Sequence, residues 1–230
     1  MPLFYQPLVP EGIHYLDQEE SRHAVKVLRL KDGDPLDLTD GKGNLYRAVV
    51  TGQTKSICHF SIKETIGMPR RKHSIHIAIA PTKNMDRMEW FVEKVTEIGI
   101  EEISFIHCKN SERATVNMER IARKAVSAMK QSGQAWLPTL HPIRKMEALT
   151  DVPARHKFIA HVDHQNPKHL KEAPPRSQYL VMIGPEGDFT SQELGAAMAK
   201  GFGKTSLGPT TLRTETAGLA ACLILNMVNT

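Results

Sequence analysis

The pattern of apolar and polar positions divides the chain into two regions. From about residue 35 to residue 66, apolar and polar residues alternate on both sides of an Asp40-Gly41 turn, and this alternation predicts short, half-buried strands. From residue 74 onward, runs of branched apolar residues alternate with segments that repeat apolar positions at helical spacing. We therefore predict a small β-barrel followed by a mainly parallel α/β sheet with helices on both faces.

The periodicity of the second region places its elements. Strands are predicted at residues 74–80, 102–107, 157–162 and 179–183. Helices are predicted at residues 84–98, 117–132 and 215–228, and another opens at Thr190 with the capping-box sequence T-S-Q-E. The last helix is apolar nearly all round, so it needs a cover from its own domain or from another subunit.

Before the barrel, residues 1–17 contain three prolines and are predicted to be irregular. Residues 18–30 predict a helix whose buried face carries Ala24, Val27 and Leu28. Its opposite face is basic, with Arg22, Lys26 and Arg29.

The segment 67–72 contains helix and sheet breakers and then a basic run, so we place the domain boundary there: residues 1–70 form the first domain and residues 71–230 the second. Arg70, Arg71 and Lys72 fit a solvated linker, with phosphate contact as the alternative.

Composition narrows the class of protein. The 230 residues are 40% hydrophobic and 24% charged, which excludes a disordered chain. No apolar run approaches ~18 residues, and no signal peptide is found, so we expect no membrane association. Three widely spaced cysteines fit a reducing cytoplasm. A net charge of +5 permits a polyanionic partner without requiring one.

Histidines raise the question of a metal site. His161 and His164 have zinc-ligand spacing around Asp163, but they precede a turn and lack a second ligand pair. We interpret them, and also His73 and His76 at a strand start, as solvated side chains. The sequence therefore predicts no metal.

Two glycine turns are the remaining candidates for a ligand site. Gly184-Pro185-Glu186-Gly187 and Leu207-Gly208-Pro209 each follow an apolar run. Ligands bind beyond the carboxyl ends of strands in such sheets, and glycine allows close approach of backbone to a ligand. Neither a dinucleotide fingerprint nor a P-loop is present. Arg213, next to the expected helix cap Thr214, adds positive charge at the positive end of a helix dipole, which suggests an anionic partner.

These motifs resemble a known family. G-P-E-G-x-F at 184–189 and L-G-x-x-x-L-R-x-E-T-A at 207–217 resemble the RsmE family of small-subunit ribosomal RNA uridine N3-methyltransferases, of the SPOUT class. H-x-x-x-V-L-R-L at 23–30 and E-K-x-T-E-I-G at 93–99 also match, in the family's order. Three positions depart from the family's pattern: Asp188, Lys130 and Pro209.

The resemblance implies a PUA-like barrel that holds RNA, a second domain with a trefoil knot, a homodimer and S-adenosylmethionine as cofactor. Its substrate would be 16S ribosomal RNA or the small ribosomal subunit. Carried over to this sequence, the cofactor contacts are Ile183, Gly184, Pro185, Glu186, Gly187, Ser206, Leu207, Gly208, Leu212, Arg213 and Ala217. RNA contacts are expected from Arg22, Lys26, Arg29, Arg70, Arg71 and Lys72.

Methylation at N3 requires loss of the N3 proton, which leaves negative charge on O2 and O4. We assign stabilisation of that charge to Arg213, with Arg113 as a second candidate. Glu215 or Glu186 would orient the arginine or accept the proton. The competing interpretation of Arg213 is a structural salt bridge to one of these glutamates. Competing functions are methylation of another base or a ribose, a non-catalytic ribosome-assembly factor and, least favoured, a nucleotide hydrolase.

Overall fold

The computed structural model of the chain describes residues 2–54, 57–161 and 168–230. It divides into two compact units: residues 1–70 with 126–137, and residues 71–125 with 138–230. Residues 126–137 thus group with the N-terminal unit, although the sequence places them in the second domain. Local periodicity does not reveal this grouping, because it depends on long-range contacts.

The N-terminal unit is built on a four-stranded sheet in the order β1-β2-β3-β4. Its strands are β1 (Leu3–Tyr5), β2 (Pro35–Thr39), β3 (Asn44–Gln53) and β4 (Cys58–Gly67). β1 corrects the prediction that residues 1–17 are irregular: it pairs parallel to β2, and the prolines lie outside it. The sheet buries Phe4, Leu36, Leu38 and Phe60 in one core.

The predicted helix of this unit is present, but it begins as an α-helix and continues as a π-helix. α1 (Gln18–Arg22) begins after Asp17, whose carboxylate accepts a hydrogen bond from the Glu20 amide at 2.8 Å. A π-helical turn follows over His23–Val27. Its i→i+5 hydrogen bonds rotate later side chains off the α-helical repeat. Ala24 is buried as predicted, but Val27 is 65% exposed, so its placement on the buried face was wrong.

The second unit is a six-stranded sheet in the order β10-β8-β9-β5-β6-β7, with every pair parallel. The strands are β5 (Ser74–Ile79), β6 (Glu102–His107), β7 (Thr139–Lys145), β8 (His156–Ala160), β9 (Gln178–Ile183) and β10 (Phe202–Thr205). The four predicted strands are confirmed. The sequence missed the edge strands β7 and β10, because Pro142 and Gly203 weaken their patterns.

The helices between these strands are α2 (Met85–Ile98), α3 (Met118–Gln131), α4 (Glu147–Thr150) and α5 (Ser191–Ala199), and α6 (Thr214–Val228) follows β10. Asn84 caps α2, accepting a hydrogen bond from the Asp86 amide at 2.9 Å, and Thr190 forms the predicted capping box with Glu193. The last helix begins one residue earlier than predicted. Its N-cap is Arg213 rather than Thr214, because the Thr214 hydroxyl donates its hydrogen bond to the Gly184 carbonyl and does not cap the helix.

Both faces of the parallel sheet are covered, as such sheets require. On one face, α6 lies so close to α2 that a Cβ on Gly218 would come within 2.6 Å of the Phe91 ring. On the other face, Ala78, Leu180 and Met182 pack with Leu194 of α5. Among the described residues, no helix is long and apolar enough to span a membrane.

Candidate active site

A cavity of about 760 Å³ lies where β8, β9 and β10 end and α6 begins. Its position fits the rule that parallel α/β sheets bind ligands beyond the carboxyl ends of their strands. Its volume falls within the ~300–1,000 Å³ typical of small-molecule sites. The lining residues come from α2, from the three strand ends, from the segment 205–212 and from the first turn of α6: Arg87, Ala160, His161, Ile183, Gly184, Pro185, Glu186, Asp188, Thr205, Ser206, Leu207, Gly208, Pro209, Thr210, Thr211, Leu212, Arg213, Thr214 and Ala217.

The first wall is the turn after β9. A Cβ on Gly184 would lie 2.9 Å from the Phe189 ring, so any larger residue here would require the turn or the ring to shift. The Gly184 carbonyl accepts a hydrogen bond from the Thr214 hydroxyl at 3.1 Å. Gly187 does not line the cavity; its carbonyl instead accepts a hydrogen bond from the Asn110 side-chain amide at 3.0 Å.

Asp188, a departure from the family's pattern, occupies a left-handed backbone conformation with φ of 57°. Glycine adopts this conformation without steric cost, whereas a residue with a Cβ rarely does. One oxygen of the Asp188 carboxylate accepts a hydrogen bond from the Phe189 amide at 2.7 Å, and the other lies 2.9 Å from His161 Nδ1. Asp188 therefore ties the end of β8 to the β9 turn.

The second wall is the segment after β10. Gly208 has φ of +146°, a conformation that residues with a Cβ rarely adopt. The Gly208 amide donates to the Ser206 hydroxyl oxygen at 3.2 Å, and this hydroxyl donates to the Gly208 carbonyl at 3.1 Å. Pro209 and Thr210 are exposed at the rim. Local hydrogen bonds between Ser206 and Gly208 thus hold the glycine of this wall in its unusual conformation.

The charges of the site are arranged around Arg87, which the sequence did not single out. Its guanidinium lies 3.4 Å from a Glu186 oxygen and 3.8 Å from a Glu215 oxygen. Arg213 is exposed at the cavity, and within the described ranges its guanidinium makes no hydrogen bond or ion pair. The salt bridge considered for Arg213 is therefore made by Arg87 instead. Arg213 is left available to a ligand.

Two predicted catalytic residues lie off the cavity. Glu215 is buried behind it, and its Oε2 atom has no hydrogen-bond partner among the residues described. Arg113 donates from Nη2 to the Lys83 carbonyl at 2.9 Å. The sequence missed Ala160, Thr205, Thr210, Thr211 and Thr214 as lining residues, along with Arg87 and His161. The local sequence around Arg87 does not indicate that it is a site residue, because its acidic partners are about a hundred residues away in the chain.

Comparison with known proteins settles the family. A family model described as an RNA methyltransferase domain matches residues 69–226. The chain belongs to the RNA methyltransferase family. A second model, an RNA methyltransferase PUA domain, matches residues 16–63 and confirms the predicted PUA-like N-terminal region.

Individual members of the family resemble the whole chain. Ribosomal RNA small subunit methyltransferase E of Aquifex aeolicus is 26% identical and aligns over 98% of this chain and 99% of its own length. The protein of the same name from Rickettsia conorii is 28% identical over 86% of this chain and 83% of its own. These relatives confirm the resemblance to the RsmE family.

Solved structures of family members show the same fold. A probable rRNA-methyltransferase from Porphyromonas gingivalis is 38% identical, with a TM-score of 0.92 over 100% of this chain and 98% of its own. A ribosomal RNA small subunit methyltransferase E from Neisseria gonorrhoeae, bound to S-adenosyl methionine, is 26% identical, with a TM-score of 0.87 and the same coverage.

The basic residues expected to contact RNA differ in availability. Arg22, Lys26, Arg29 and Lys72 are exposed, and Arg70 is exposed with its guanidinium 4.1 Å from the centre of the Trp136 ring.

Arg71 has a structural role instead. Its guanidinium donates to Glu101 at 2.8 Å and to the Asn226 side-chain oxygen at 2.6 Å. It also packs against Gly99, where a Cβ would come within 2.6 Å of it. Of the six cations expected to contact RNA, all of which lie among the described residues, five are exposed and Arg71 is held within the fold.

Two histidine predictions change. Val162, Asp163 and His164 lie outside the described residues, whereas His161 lines the cavity. His76 was predicted to be solvated, but only 8% of it is exposed. Burial lowers the pKa of His76 to about 4, with the Glu102 carboxylate opposing this shift and His141 adding to it. The imidazole is therefore neutral at pH 7.

Proposed function

We propose that this protein methylates N3 of a uridine in 16S ribosomal RNA, with S-adenosylmethionine as the methyl donor. The observation that carries this proposal is Arg213, whose guanidinium has no partner among the described residues and lies at the edge of a cavity with two glycine turns. Family membership supports methyl transfer to RNA. The motifs shared with the RsmE family support the choice of substrate.

The cavity fits the cofactor in three respects. Gly184 and Gly208 present backbone without side chains, and backbone N–H and C=O groups can bind the edge of an adenine. The lining has two acidic side chains, Glu186 and Asp188, and the half-exposed Glu186 offers a partner for the cationic end of the molecule. We assign the remaining contacts to Ile183, Pro185, Ser206, Leu207, Leu212 and Ala217, all of which line the cavity. Gly187 holds the turn through Asn110 and is not among them.

S-adenosylmethionine supplies an electrophilic methyl group on a sulfonium when bound. The protein must then remove the N3 proton of uridine and stabilise the charge that spreads to O2 and O4. We assign this stabilisation to Arg213, because its guanidinium has no partner among the described residues and it is the N-cap of α6, at the positive end of the helix dipole. Glu186 is half-exposed at the cavity, and we assign proton removal to it. Glu215 is a positioning residue: it is buried and holds Arg87 from behind.

Arg113 has a secondary part in this scheme. It donates to the Lys83 carbonyl in the connection between β5 and α2, and Arg87 lies in the first turn of α2. We therefore assign Arg113 to holding that connection rather than to contact with the base. Its Nε atom is buried and has no partner among the described residues.

RNA binding is assigned to the exposed cations Arg22, Lys26, Arg29, Arg70 and Lys72. Phosphate contacts supply most non-specific affinity for RNA and hold the substrate in register. The uridine would have to be unpaired or flipped to reach the cavity. We place the reaction in the cytoplasm, where ribosomal subunits are the substrate.

We also propose that the protein acts as a homodimer. Leu223 and Met227 of α6 are 44% and 67% exposed, and apolar side chains on one helix favour a subunit interface. We further propose that the second unit contains the trefoil knot that the resemblance implies.

The decisive experiment maps methylated nucleotides in 16S RNA from strains with and without this protein, by mass spectrometry of nuclease digests. We expect one N3-methyluridine to disappear on deletion and to return with the wild-type protein. A methyl group lost from another base or a ribose would favour the alternative transferase. Failure of the purified protein to bind S-adenosylmethionine in calorimetry would favour a non-catalytic assembly factor.

A further inference from the structure

A second cluster of chemically active side chains lies far from the cavity in the sheet. His76, Glu102 and His141 come from the neighbouring strands β5, β6 and β7. His76 is paired in register with Glu102, and Ser104 with His141. All three belong to the first half of their strands, whereas the cavity lies beyond the carboxyl ends. The cluster is therefore independent of the proposed methyl transfer.

We propose that His76, Glu102 and His141 form a binding site for one Zn²⁺ ion. Each contributes one ligand atom, and these three atoms lie within 4.8 Å of one another. His141 Nε2 is 2.9 Å from Glu102 Oε2, and His76 Nδ1 is 3.9 Å from the same oxygen. Bonds of ~2.0–2.1 Å in a tetrahedral site separate ligand atoms by about 3.4 Å. Small side-chain shifts would bring these atoms to that spacing.

The environment of His76 prepares it for metal binding. Its Nε2 lies 2.7 Å from the buried hydroxyl of Ser104. With a metal on Nδ1, Nε2 carries the proton and donates it to that hydroxyl, so Ser104 holds the ring with Nδ1 toward the other two ligands. A histidine ligand oriented through its second nitrogen is the usual arrangement in zinc sites. Ser104 is thus a positioning residue for the proposed site.

The donor set selects the ion. Two imidazole nitrogens and one carboxylate oxygen suit Zn²⁺, whereas Mg²⁺ and Ca²⁺ prefer oxygen ligands alone. His141 and Glu102 are partly exposed, at 32% and 43% of their side chains. Solvent can therefore supply the fourth ligand as water.

The site has a structural role in this position. β7 is an edge strand, and its pairing with β6 is irregular between Ser104 and Ile106. β7 also contains Pro142, which cannot donate a ladder hydrogen bond. A metal held by β5, β6 and β7 would fasten this weakly paired edge to the centre of the sheet.

The test uses chelator-treated full-length protein without a histidine tag. Zn²⁺ binding is measured by calorimetry, and Co²⁺ binding by the visible absorption of a tetrahedral cobalt site. We expect one ion per chain and a rise in Tm with Zn²⁺. His141→Ala, on the exposed edge strand, should weaken binding by at least tenfold, and Glu102→Gln by a similar factor. Ser104→Ala should weaken it by about 10–100-fold.

The matched control is His107→Gln, which changes a histidine at the opposite end of β6. It should bind Zn²⁺ as tightly as the wild type. Absence of stoichiometric binding by the wild type, unchanged binding by His141→Ala, or an equal loss in His107→Gln would each overturn the proposal. Methyltransferase activity is not the readout, so failure of this site leaves the proposed function untouched.

Discussion

The Thr214 hydroxyl donates a hydrogen bond to the Gly184 carbonyl at 3.1 Å, joining two positions 30 residues apart. Thr214 is the first residue of α6, and Gly184 follows directly after β9. The bond sets the N-terminus of the helix, with Arg213 at its cap, against the glycine turn. This one contact therefore fixes Arg213 relative to the glycine turn that forms the first wall of the cavity.

Gly184→Ala tests how closely this wall is packed. The new Cβ would lie 2.9 Å from the buried Phe189 ring, so the turn must shift. We expect a loss of about 1–3 kcal/mol in the free energy of unfolding and weaker binding of S-adenosylmethionine. Chemical denaturation and calorimetry measure the two effects. Gly203→Ala is the control, since its Cβ meets nothing nearer than 4.0 Å; equal losses in both variants would contradict the packing argument.

Arg213→Ala tests the stabilisation of developing charge. Removing one donor of this kind lowers kcat by about 10²–10³-fold, while the affinity for S-adenosylmethionine should change little. Tritium transfer to small-subunit RNA and calorimetry separate the two quantities. Arg213→Lys should restore part of the rate, and Arg144→Ala, an exposed arginine on β7, should leave it unchanged. A wild-type rate in Arg213→Ala would remove the assignment.

Two substitutions of Asp188 distinguish the cost of its backbone conformation from the contribution of its side-chain contacts. Asp188→Ala and Asp188→Gly both lose the pairing with His161 and the bond from the Phe189 amide. Only alanine keeps a Cβ at φ of 57°, where it costs ~1–2 kcal/mol. We expect the glycine variant to be more stable than the alanine variant by about 1 kcal/mol. Denaturation curves for the pair measure this difference, and equal stabilities would contradict the left-handed conformation.

Because of Glu193, we expect the free energy of unfolding to decrease at acidic pH. Burial acts to raise the pKa of its carboxyl, but hydrogen bonds from Thr190 and from the Lys109 amide outweigh it and lower the pKa below 4.5. An acid with a lowered folded-state pKa contributes stability above its unfolded pKa and loses it as pH falls through the folded value.

We therefore expect Glu193→Gln to lower the free energy of unfolding at pH 7 by about 1 kcal/mol. The difference from the wild type should shrink as the pH falls below about 4.5, the ordinary glutamate pKa. Denaturation at pH 7 and at pH 4 measures it. Glu147→Gln, an exposed substitution on α4, should show neither effect. A difference that stays constant with pH would refute the linkage.

The basic surface predicts salt-sensitive RNA binding. Because phosphate contacts release counterions, the logarithm of the RNA association constant should fall linearly with the logarithm of salt concentration. Lys26→Ala should reduce the magnitude of the slope by about 1, and Arg71→Ala should change it less, because Arg71 is held by Glu101. Lys171→Ala in the other unit is the control. An RNA association constant that does not change with salt concentration would exclude the phosphate contacts.

Sequence alone determined the elements with strong local periodicity and the two glycine turns. The α2 face of Met88, Phe91, Val92 and Val95 is buried, because apolar spacing of 3.6 residues requires one buried side. The motifs at 184–189 and 207–217 also identified the family, since a glycine turn that must leave backbone bare restricts which residues can occupy it.

Tertiary structure alone decided which charges meet. Arg87 pairs with Glu186 and Glu215, and His76 lies beside Glu102 and His141, yet neither set is adjacent in the chain. The order of parallel strands brings such residues together, and local patterns carry no information on that order. Tertiary packing also exposed Val27 through a π-helical turn and left Arg213 without a partner among the residues that the structure describes. The chain thus encodes its turns and helices locally, while the partners of its charged and ligating side chains depend on contacts across the whole sheet.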